Sequence, residues 1–352
     1  MSSFMTEQHG PSNKPTHILR QLGTSNLHIS PIGLGCWQFS KGNGLVGKYW
    51  PALSNQTIVD IVQTSLQHGV NWFDTAEIYG KGESEKALAR TLQQLNVPPS
   101  DAIIATKWWP VARTAGSIRD TIMQRLECLQ PYPISLYQIH QPYALSSIRA
   151  QLEAMKDLIT AGHIKYAGVS NFSAKQMEEA HQVLQQYGLS LISNQVKYSM
   201  IDRRIEKNGI LDTAKRLDMA IIAYSPLEQG ILTGKFHPQS TSDVGRELNR
   251  AKAQSTSVVP SGIRRWLPGF RQARLIKTWP LIEELQRLAL EYEVEPGQVA
   301  LNWLIHYHGQ HVFAIPGASR SSQAAANAKV LTFHLSDSEK EHLNQLSMQV
   351  TL

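Results

Sequence analysis

The chain has 352 residues, of which 42% are hydrophobic and 18% charged, and its formal net charge is +6. This is ordinary globular composition, and the length allows either two domains or one large barrel with insertions. No apolar run approaches the roughly 20 residues that cross a bilayer, so the sequence predicts no membrane segment. The basic charge suits nucleic acid, a phosphate-bearing cofactor or simply a basic surface.

The N-terminus and the cysteines restrict the setting of the protein. Residues 1–15 are polar and lack the apolar stretch of a secretory signal, so we expect a disordered tail there. Cys36 and Cys128 are the only cysteines, and their separation supports neither a disulfide framework nor a zinc site. These features predict a cytoplasmic protein without a bound metal.

Short apolar runs rich in β-branched residues alternate with amphipathic segments along most of the chain. Residues 17–29 open this series and predict a hairpin that plugs the bottom of a barrel. In chain order, strands are then predicted at residues 31–35, 70–73, 102–105, 135–139, 164–169, 191–193, 219–223 and 312–315. Helices are predicted at residues 55–68, 83–95, 116–129, 147–161, 174–187, 207–217, 279–292, 296–307 and 336–347.

Two further features complete the organisation. Residues 225–278 show little periodicity and are rich in Gly, Pro, Ser and Arg, as is typical of a functional or disordered loop. Ser336 and Glu339 form the sequence pattern of a capping box at the start of the last helix. No linker interrupts the series, so we expect residues 16–352 to form one domain.

Eight strands alternating with helices indicate a parallel sheet that helices cover on its faces. Eight is also the strand number of the closed (β/α)8 barrel. The predicted fold is therefore an α/β TIM barrel with an N-terminal hairpin and a long loop after the seventh strand.

The stretch GNGLVGK at residues 42–48 matches two nucleotide-binding motifs, G-x-G-x-x-G and G-x-x-x-x-G-K. Both motifs work by aiming backbone N–H groups and a helix N-terminus at phosphate. Here Tyr49 stands where a Mg²⁺-binding Ser or Thr is needed, and Pro51 blocks an immediate helix. We interpret the stretch as an active-site loop rather than a phosphate cradle.

Polar side chains occur where successive predicted strands end. In a barrel these C-terminal ends meet on one face, and catalysis takes place there. The residues concerned are Asp74, Lys107, His140, Ser170, Asn171, Asn194, Gln195 and Tyr224, with Tyr79 five positions beyond Asp74. Capping of strand ends alone hardly explains so many titratable and amide groups, so the pattern indicates an active site.

Four of these residues make a coherent set for reducing a carbonyl group, because the developing alkoxide needs a proton. Tyr79 would be the acid, and a neighbouring Lys107 would lower its pKa from the ordinary value of about 10. Asp74 would balance the charge of a buried lysine. His140 would donate a hydrogen bond to the carbonyl oxygen.

The stretch NWFDTAEIYGKGESEKALAR at residues 71–90 resembles the aldo-keto reductase signature, with its D-T-A-x-x-Y-G core. Other motifs similar to the family's follow in order: ATKWW, LYQIHQP, GVSNFS, NQVKYS, AYSPLEQGILTGKF and IPGAS. The resemblance extends over residues 23–346 and is to the long-chain bacterial type, which is similar to potassium-channel β-subunits and related reductases.

This resemblance implies a (β/α)8 barrel that binds NAD(P)H, with a catalytic tetrad of Asp74, Tyr79, Lys107 and His140. The implied cofactor contacts are Ser170, Asn171, Gln195, Tyr224, Ser225, Pro226, Leu227, Gly230, Lys235, Gly317, Ser319, Arg320, Gln323 and Asn327. One departure concerns the last motif, where Ala326 replaces a glutamate that many relatives place against adenine.

Several expectations concern ligands and partners. Trp37 and Trp108 fit an apolar wall of the substrate pocket, whereas we assign Trp109 to the core. Arg320 and Lys235 supply cations for the 2′-phosphate of NADPH, so we expect NADPH to be preferred over NADH. We expect a small-molecule carbonyl substrate and no nucleic acid, because no aromatic stacking series is present. The alternative function is a cofactor-binding regulatory or adaptor subunit with little turnover.

Overall fold

The computed structural model describes residues 18–42, 51–237 and 268–350. The expected tail and most of the 42–48 stretch lie outside these ranges. Strands within them are β1 (Arg20–Gln21), β2 (His28–Ile29), β3 (Leu34–Gly35), β4 (Trp72–Asp74), β5 (Ile103–Trp108), β6 (Ile134–Ile139), β7 (Ile164–Ser170), β8 (Leu191–Lys197), β9 (Ala220–Tyr224) and β10 (Val312–Ala314).

The helices follow the strands on the outside of the sheet. They are α1 (Asn55–Gln67), α2 (Glu83–Gln94), α3 (Gly116–Leu129), α4 (Ile148–Thr160), α5 (Ala174–Gln185), α6 (Ile210–Arg216), α7 (Gln272–Glu291), α8 (Pro296–His306), α9 (Ser321–Lys329) and α10 (Asp337–Val350). Short 3₁₀ segments occur at Trp37–Ser40, Arg204–Glu206, Glu228–Thr233, Pro268–Phe270 and Val330–Thr332.

Strands β3 to β10 form one eight-stranded parallel sheet in which each strand pairs with its neighbours in chain order. Parallel bridges join Ile32 to Ala314 and Gly35 to Gly317. The first and last strands are therefore also neighbours, and the sheet closes into a barrel. The predicted (β/α)8 TIM barrel is confirmed.

The predicted N-terminal hairpin is also confirmed, since β1 pairs with β2 in antiparallel fashion. Leu22 and Ile29 of this hairpin are buried in one cluster with Trp72 and Phe313 from the barrel strands. The hairpin backbone packs closely against β8 at Gly23, which has φ +53°. A Cβ there would lie 2.3 Å from the carbonyl oxygen of Ile192. The hairpin thus closes the end of the barrel opposite the predicted site.

Side chains along each barrel strand point alternately to the barrel interior and to the helices. Trp72 and Ala105 belong to the interior cluster, whereas Phe73 and Trp108 belong to the core under the helices. By this alternation Asp74 and Lys107 face the interior. The barrel interior is therefore apolar near the hairpin and polar at the C-terminal strand ends.

Several element boundaries differ from the predicted ones, and two of them bear on the site. Strand β8 continues to Lys197, because its last residues include polar side chains that the polar interior accepts. Helix α7 begins at Gln272, before the predicted start, and carries Pro280 within it. Its first turns bury Leu275 and Thr278, so the long loop is shorter than predicted. Residues 238–267 of that loop lie outside the described ranges.

The capping box at Ser336 and Glu339 is present, with the Ser336 N–H 2.7 Å from the glutamate Oε2 and the Glu339 N–H 3.3 Å from the serine Oγ.

No helix among the described residues is long and apolar enough to cross a membrane. In the same part of the chain, no three or more His, Cys, Asp or Glu residues are grouped so as to hold a metal ion.

Candidate active site

An Asp74–Lys107 ion pair lies at the centre of the polar end of the barrel. Lys107 is fully buried and donates hydrogen bonds to Asp74 Oδ1 and, at 2.8 Å, to the carbonyl oxygen of Thr75. The second carboxylate oxygen of Asp74 accepts hydrogen bonds from Gln195 Nε2 at 2.8 Å and from Gln138 Nε2 at 3.2 Å. Every oxygen of this buried carboxylate is therefore satisfied, as a buried charge requires.

Tyr79 lies in the short loop between β4 and α2, beside this ion pair. The Lys107 Nζ atom is 5.2 Å from the centre of the Tyr79 ring. The loop is held by backbone hydrogen bonds from Tyr79 to Ala76 at 3.0 Å and from Ser84 to Tyr79 at 3.2 Å. Because β4 and β5 are adjacent strands, the sequence brings the phenol and the ammonium together through the barrel itself.

Burial raises the pKa of the Tyr79 phenol, and the charge and hydrogen bond of Lys107 lower it. Burial outweighs the lysine, so the pKa lies above its ordinary value. The contribution of Lys107 has the predicted sign, but the net lowering that the sequence suggested is wrong. Burial lowers the pKa of Lys107, but Asp74 and Tyr79 together raise it above its ordinary value, so the ammonium form persists.

His140 follows β6 directly, and its ring meets the Tyr79 ring edge-on with centroids 5.8 Å apart. Burial and the nearby charge of Lys107 hold the pKa of His140 well below its ordinary value. The imidazole is therefore neutral near pH 7 and carries one N–H donor. Its buried Nδ1 atom has no hydrogen-bond partner within the described ranges.

Two tryptophans flank these rings. Trp37 stacks on Tyr79 with centroids 6.0 Å apart, and Trp109 meets His140 edge-on at 5.2 Å. Trp108 instead lies in the core under the helices, where its Nε1 donates to Ser117 Oγ at 3.1 Å. The placements predicted for Trp108 and Trp109 are therefore wrong. Strand alternation explains the error: with Lys107 facing inward, its successor must face outward.

The predicted residues at the next strand ends lie together along the barrel rim. Ser170 Oγ donates to the carbonyl oxygen of Gln195 at 2.8 Å. The hydroxyl of Tyr224 donates to Asn171 Oδ1 at 3.0 Å. Asn171 has φ +62°, a conformation that non-glycine residues adopt rarely and mostly where structure over-determines it. Gln195 points to Asp74 rather than to the rim.

The segment after β9 has an unusual backbone. Ser225, Glu228 and Gln229 all have positive φ, and Gly230 follows at φ +98°. A Cβ on Gly230 would lie 3.4 Å from Lys235 Nζ. An ammonium group and bare backbone are therefore side by side, an arrangement that suits a phosphate. Pro226 and Leu227, the other predicted contacts, belong to the same segment.

The predicted residues after β10 also form one local unit at the start of α9. Gln323 Oε1 accepts hydrogen bonds from the Ser319 N–H at 2.8 Å and from Ser319 Oγ at 2.9 Å. Asn327 Nδ2 lies 3.4 Å from the carbonyl oxygen of Gly317. Arg320 is exposed at the N-cap of α9. The structure thus brings Ser319, Arg320 and Gln323 to the N-terminus of α9, while Asn327, later in the helix, contacts Gly317 before it.

Sequence reasoning missed Gln138 and Glu77. Gln138 lies two positions before His140 on β6, so strand alternation places both on the interior face. Glu77 Oε1 accepts a hydrogen bond from the Trp109 N–H at 2.5 Å. The sequence shows that Glu77 lies between Asp74 and Tyr79, but it does not show that the glutamate binds Trp109 on another loop.

The fold and these side chains define a (β/α)8 barrel with a polar site at the C-terminal strand ends. Residues 31–347 match the family model described as Aldo/keto reductase family. The chain therefore belongs to the aldo/keto reductase family, whose members are oxidoreductases that act on carbonyl compounds and use nicotinamide cofactors.

Individual relatives agree with this assignment. An uncharacterized oxidoreductase of Mycobacterium tuberculosis is 35% identical over 316 residues, which are 90% of this chain and 88% of that protein. The NADH-specific methylglyoxal reductase of Escherichia coli is 26% identical over 348 residues, covering 93% of this chain and 97% of that protein. The crystal structure of the thermostable aldo-keto reductase Tm1743 with the inhibitor epalrestat has a TM-score of 0.71 at 25% identity, covering 94% and 99% of the two chains.

Proposed function

We propose that the protein reduces aldehydes or ketones to alcohols with NADPH, and that Tyr79 is the general acid. The observation that carries this proposal is the buried Lys107–Asp74 pair beside the Tyr79 ring, with the His140 ring edge-on to the same phenol. A phenol, an ammonium, a carboxylate and a neutral imidazole together supply one proton and the groups that control it.

The residues at the barrel rim fit a nicotinamide cofactor. The carboxamide of Gln38 lies against Gly317, and its buried Oε1 has no hydrogen-bond partner in the described part of the chain. A hydroxyl or amide donor of a cofactor would satisfy this atom. Tyr224 offers a half-buried ring that Asn171 fixes in place, and Lys235 and Arg320 offer cations for phosphates.

When bound, the cofactor supplies a hydride, and the chain's own residues manage the proton. Since its raised pKa keeps Tyr79 protonated near neutral pH, the phenol can donate to the oxygen of the substrate. The Lys107 ammonium stabilises the phenolate that this donation leaves. Asp74 holds the ammonium in place, and Gln138 and Gln195 hold Asp74.

Neutral His140 would donate its single N–H to the carbonyl oxygen and orient it toward Tyr79. A charged imidazole there would compete with Lys107 for the same negative charge, and the lowered pKa prevents this. Trp37 stacks on Tyr79 and Trp109 packs against His140, so both tryptophans would limit the access of water to these two rings. Less water at the site would strengthen the electrostatic effect of Lys107 and His140 on the reacting oxygen.

The choice between the two nicotinamide cofactors needs its own argument, because the similar Escherichia coli enzyme is named as NADH-specific. We infer NADPH from the exposed Arg320 at the N-terminus of α9 and from Lys235 beside Gly230. A guanidinium and the free N–H groups of a helix N-terminus both bind phosphate well.

The proposal is tested by following cofactor oxidation at 340 nm with a panel of aldehydes, ketones, quinones and pyridoxal. We expect turnover of at least one aromatic aldehyde with kcat on the order of 1 s⁻¹ or more, which is ordinary for enzymes. Tight cofactor binding without turnover of any carbonyl compound would contradict it and favour a regulatory subunit.

A further inference from the structure

The buried carboxylate of Glu77 joins the loop that carries Tyr79 to the loop that follows β5. Its side chain is 10% exposed. Glu77 Oε1 accepts hydrogen bonds from the Trp109 backbone N–H and from Arg113 Nη1, both at 2.5 Å. Carboxylate bonds of this kind are stronger than those between neutral groups.

Arg113 holds the same tryptophan from its other side. Its Nη1 donates to the carbonyl oxygen of Trp109 at 3.1 Å. The rest of the guanidinium is anchored on α3, where Nε donates to Ser117 Oγ and Nη2 to Thr121 Oγ1, each at 3.0 Å. The N–H and the C=O of Trp109 are therefore both held by the Glu77–Arg113 pair.

The Glu77–Arg113 pair fixes the position of Trp109 rather than that of Tyr79. The Tyr79 turn has backbone hydrogen bonds of its own, including one from the Glu77 N–H to the Lys107 carbonyl oxygen at 3.3 Å. These do not involve the Glu77 side chain. Trp109, by contrast, is half-buried, and its ring meets His140 at the site.

We propose that Glu77 is a positioning residue which, with Arg113, fixes Trp109 edge-on to His140 and so makes the pocket select flat, apolar carbonyl compounds over small ones. The part of this inference that concerns substrate choice rests on the proposed reductase function. The part that concerns Trp109 does not, and it is tested separately.

Two substitutions of Glu77 separate its roles. Glu77→Gln keeps an oxygen that can accept from the Trp109 N–H but removes the charge opposite Arg113 and, at 3.8 Å, Arg125. Glu77→Ala leaves both donors without their acceptor. Glu127→Gln, on the exposed side of α3, is the matched control.

The first measurement needs no turnover. In protein labelled with 5-fluorotryptophan, the ¹⁹F NMR signal of Trp109 is assigned from its loss in Trp109→Phe. We expect Glu77→Ala to shift or broaden this signal while the Trp37 signal stays in place, and Glu77→Gln to have a smaller effect. An unchanged Trp109 signal in Glu77→Ala would overturn the proposal, and so would equal changes in all tryptophan signals.

The second measurement compares kcat/KM for 4-nitrobenzaldehyde with that for propanal. We expect Glu77→Ala and Trp109→Ala each to lower this ratio by about tenfold, and the double variant to lower it no further, because the two changes act through one ring. Additive losses in the double variant would refute a role through Trp109. If the wild type reduced no aldehyde, the proposed function would fail, and the ¹⁹F result would still decide the positioning of Trp109.

Discussion

The behaviour of Tyr79 depends on two opposing influences on a single hydroxyl group. Burial alone would keep the phenol protonated but make it a poor acid. Lys107 offsets part of this effect, since its ammonium favours the phenolate. The lysine can do this only because Asp74 keeps it charged inside the barrel. The chemistry proposed for the site thus depends on a pair of charges that the protein buries together.

Replacing Lys107 with Met tests this balance. Without the ammonium, the pKa of Tyr79 rises further, so the phenol is a weaker acid and kcat for reduction falls by at least about tenfold. We expect the wild-type rate to fall at alkaline pH as Tyr79 loses its proton, and this fall to move to higher pH in the variant. Profiles of kcat against pH for both proteins check the shift.

Two controls accompany this variant: a lysine substitution at another position and a check that the variant is folded. Lys86→Met removes an exposed lysine of α2 and should leave the profile unchanged. Far-ultraviolet circular dichroism establishes that Lys107→Met is folded, since it leaves Asp74 buried without its cation. An alkaline limb at the same pH in a folded Lys107→Met variant would remove Lys107 from the mechanism.

Short elements, rather than long ones, present the proposed cofactor contacts. The segment after β9 is a 3₁₀ stretch with successive positive φ values, and α9 is a nine-residue helix that follows the closing strand of the barrel after a short loop. An anion at the N-terminus of α9 is stabilised by free N–H groups, and Arg320 adds a full charge at that point.

Arg320→Ala tests whether that charge selects the cofactor. A charge-assisted hydrogen bond is worth about 1.5–3 kcal/mol, so we expect wild type to prefer NADPH over NADH by at least about tenfold. The variant should lose most of this preference, because kcat/KM falls for NADPH and stays the same for NADH. The ratio of kcat/KM for NADPH to that for NADH measures the preference, and Arg119→Ala on α3 is the surface control. Equal use of both cofactors by the wild type would refute the inference.

Element types were predictable because hydrophobic periodicity and β-branched runs act locally, and each predicted barrel strand and helix has a counterpart in the structure. Boundaries were harder. Strand β8 continues through Asn194 and Gln195, whose polarity suggested a strand end. Helix α7 begins before Trp279, because tertiary burial of Leu275 stabilises turns whose sequence is not strongly periodic.

At the level of the whole molecule, eight alternating units determine the barrel, and the barrel determines which residues meet. This is why Asp74, Lys107 and His140, far apart in sequence, could be placed together in advance. Two other kinds of contact depend on side-chain direction and loop packing. They are the hydrogen bonds from Gln138 and Gln195 to the Asp74 carboxylate and the Glu77–Trp109 hydrogen bond. Such contacts join separate loops, so no local pattern in the chain encodes them.

Tyr79→Phe is the most direct test of the account, because it removes the proton and keeps the ring between Trp37 and His140. We expect kcat for reduction to fall by roughly 10²–10⁴, the usual scale for loss of a general acid, with the NADPH dissociation constant nearly unchanged. A variant that binds NADPH normally and keeps more than about half of the wild-type kcat would contradict the assignment of Tyr79 as the acid.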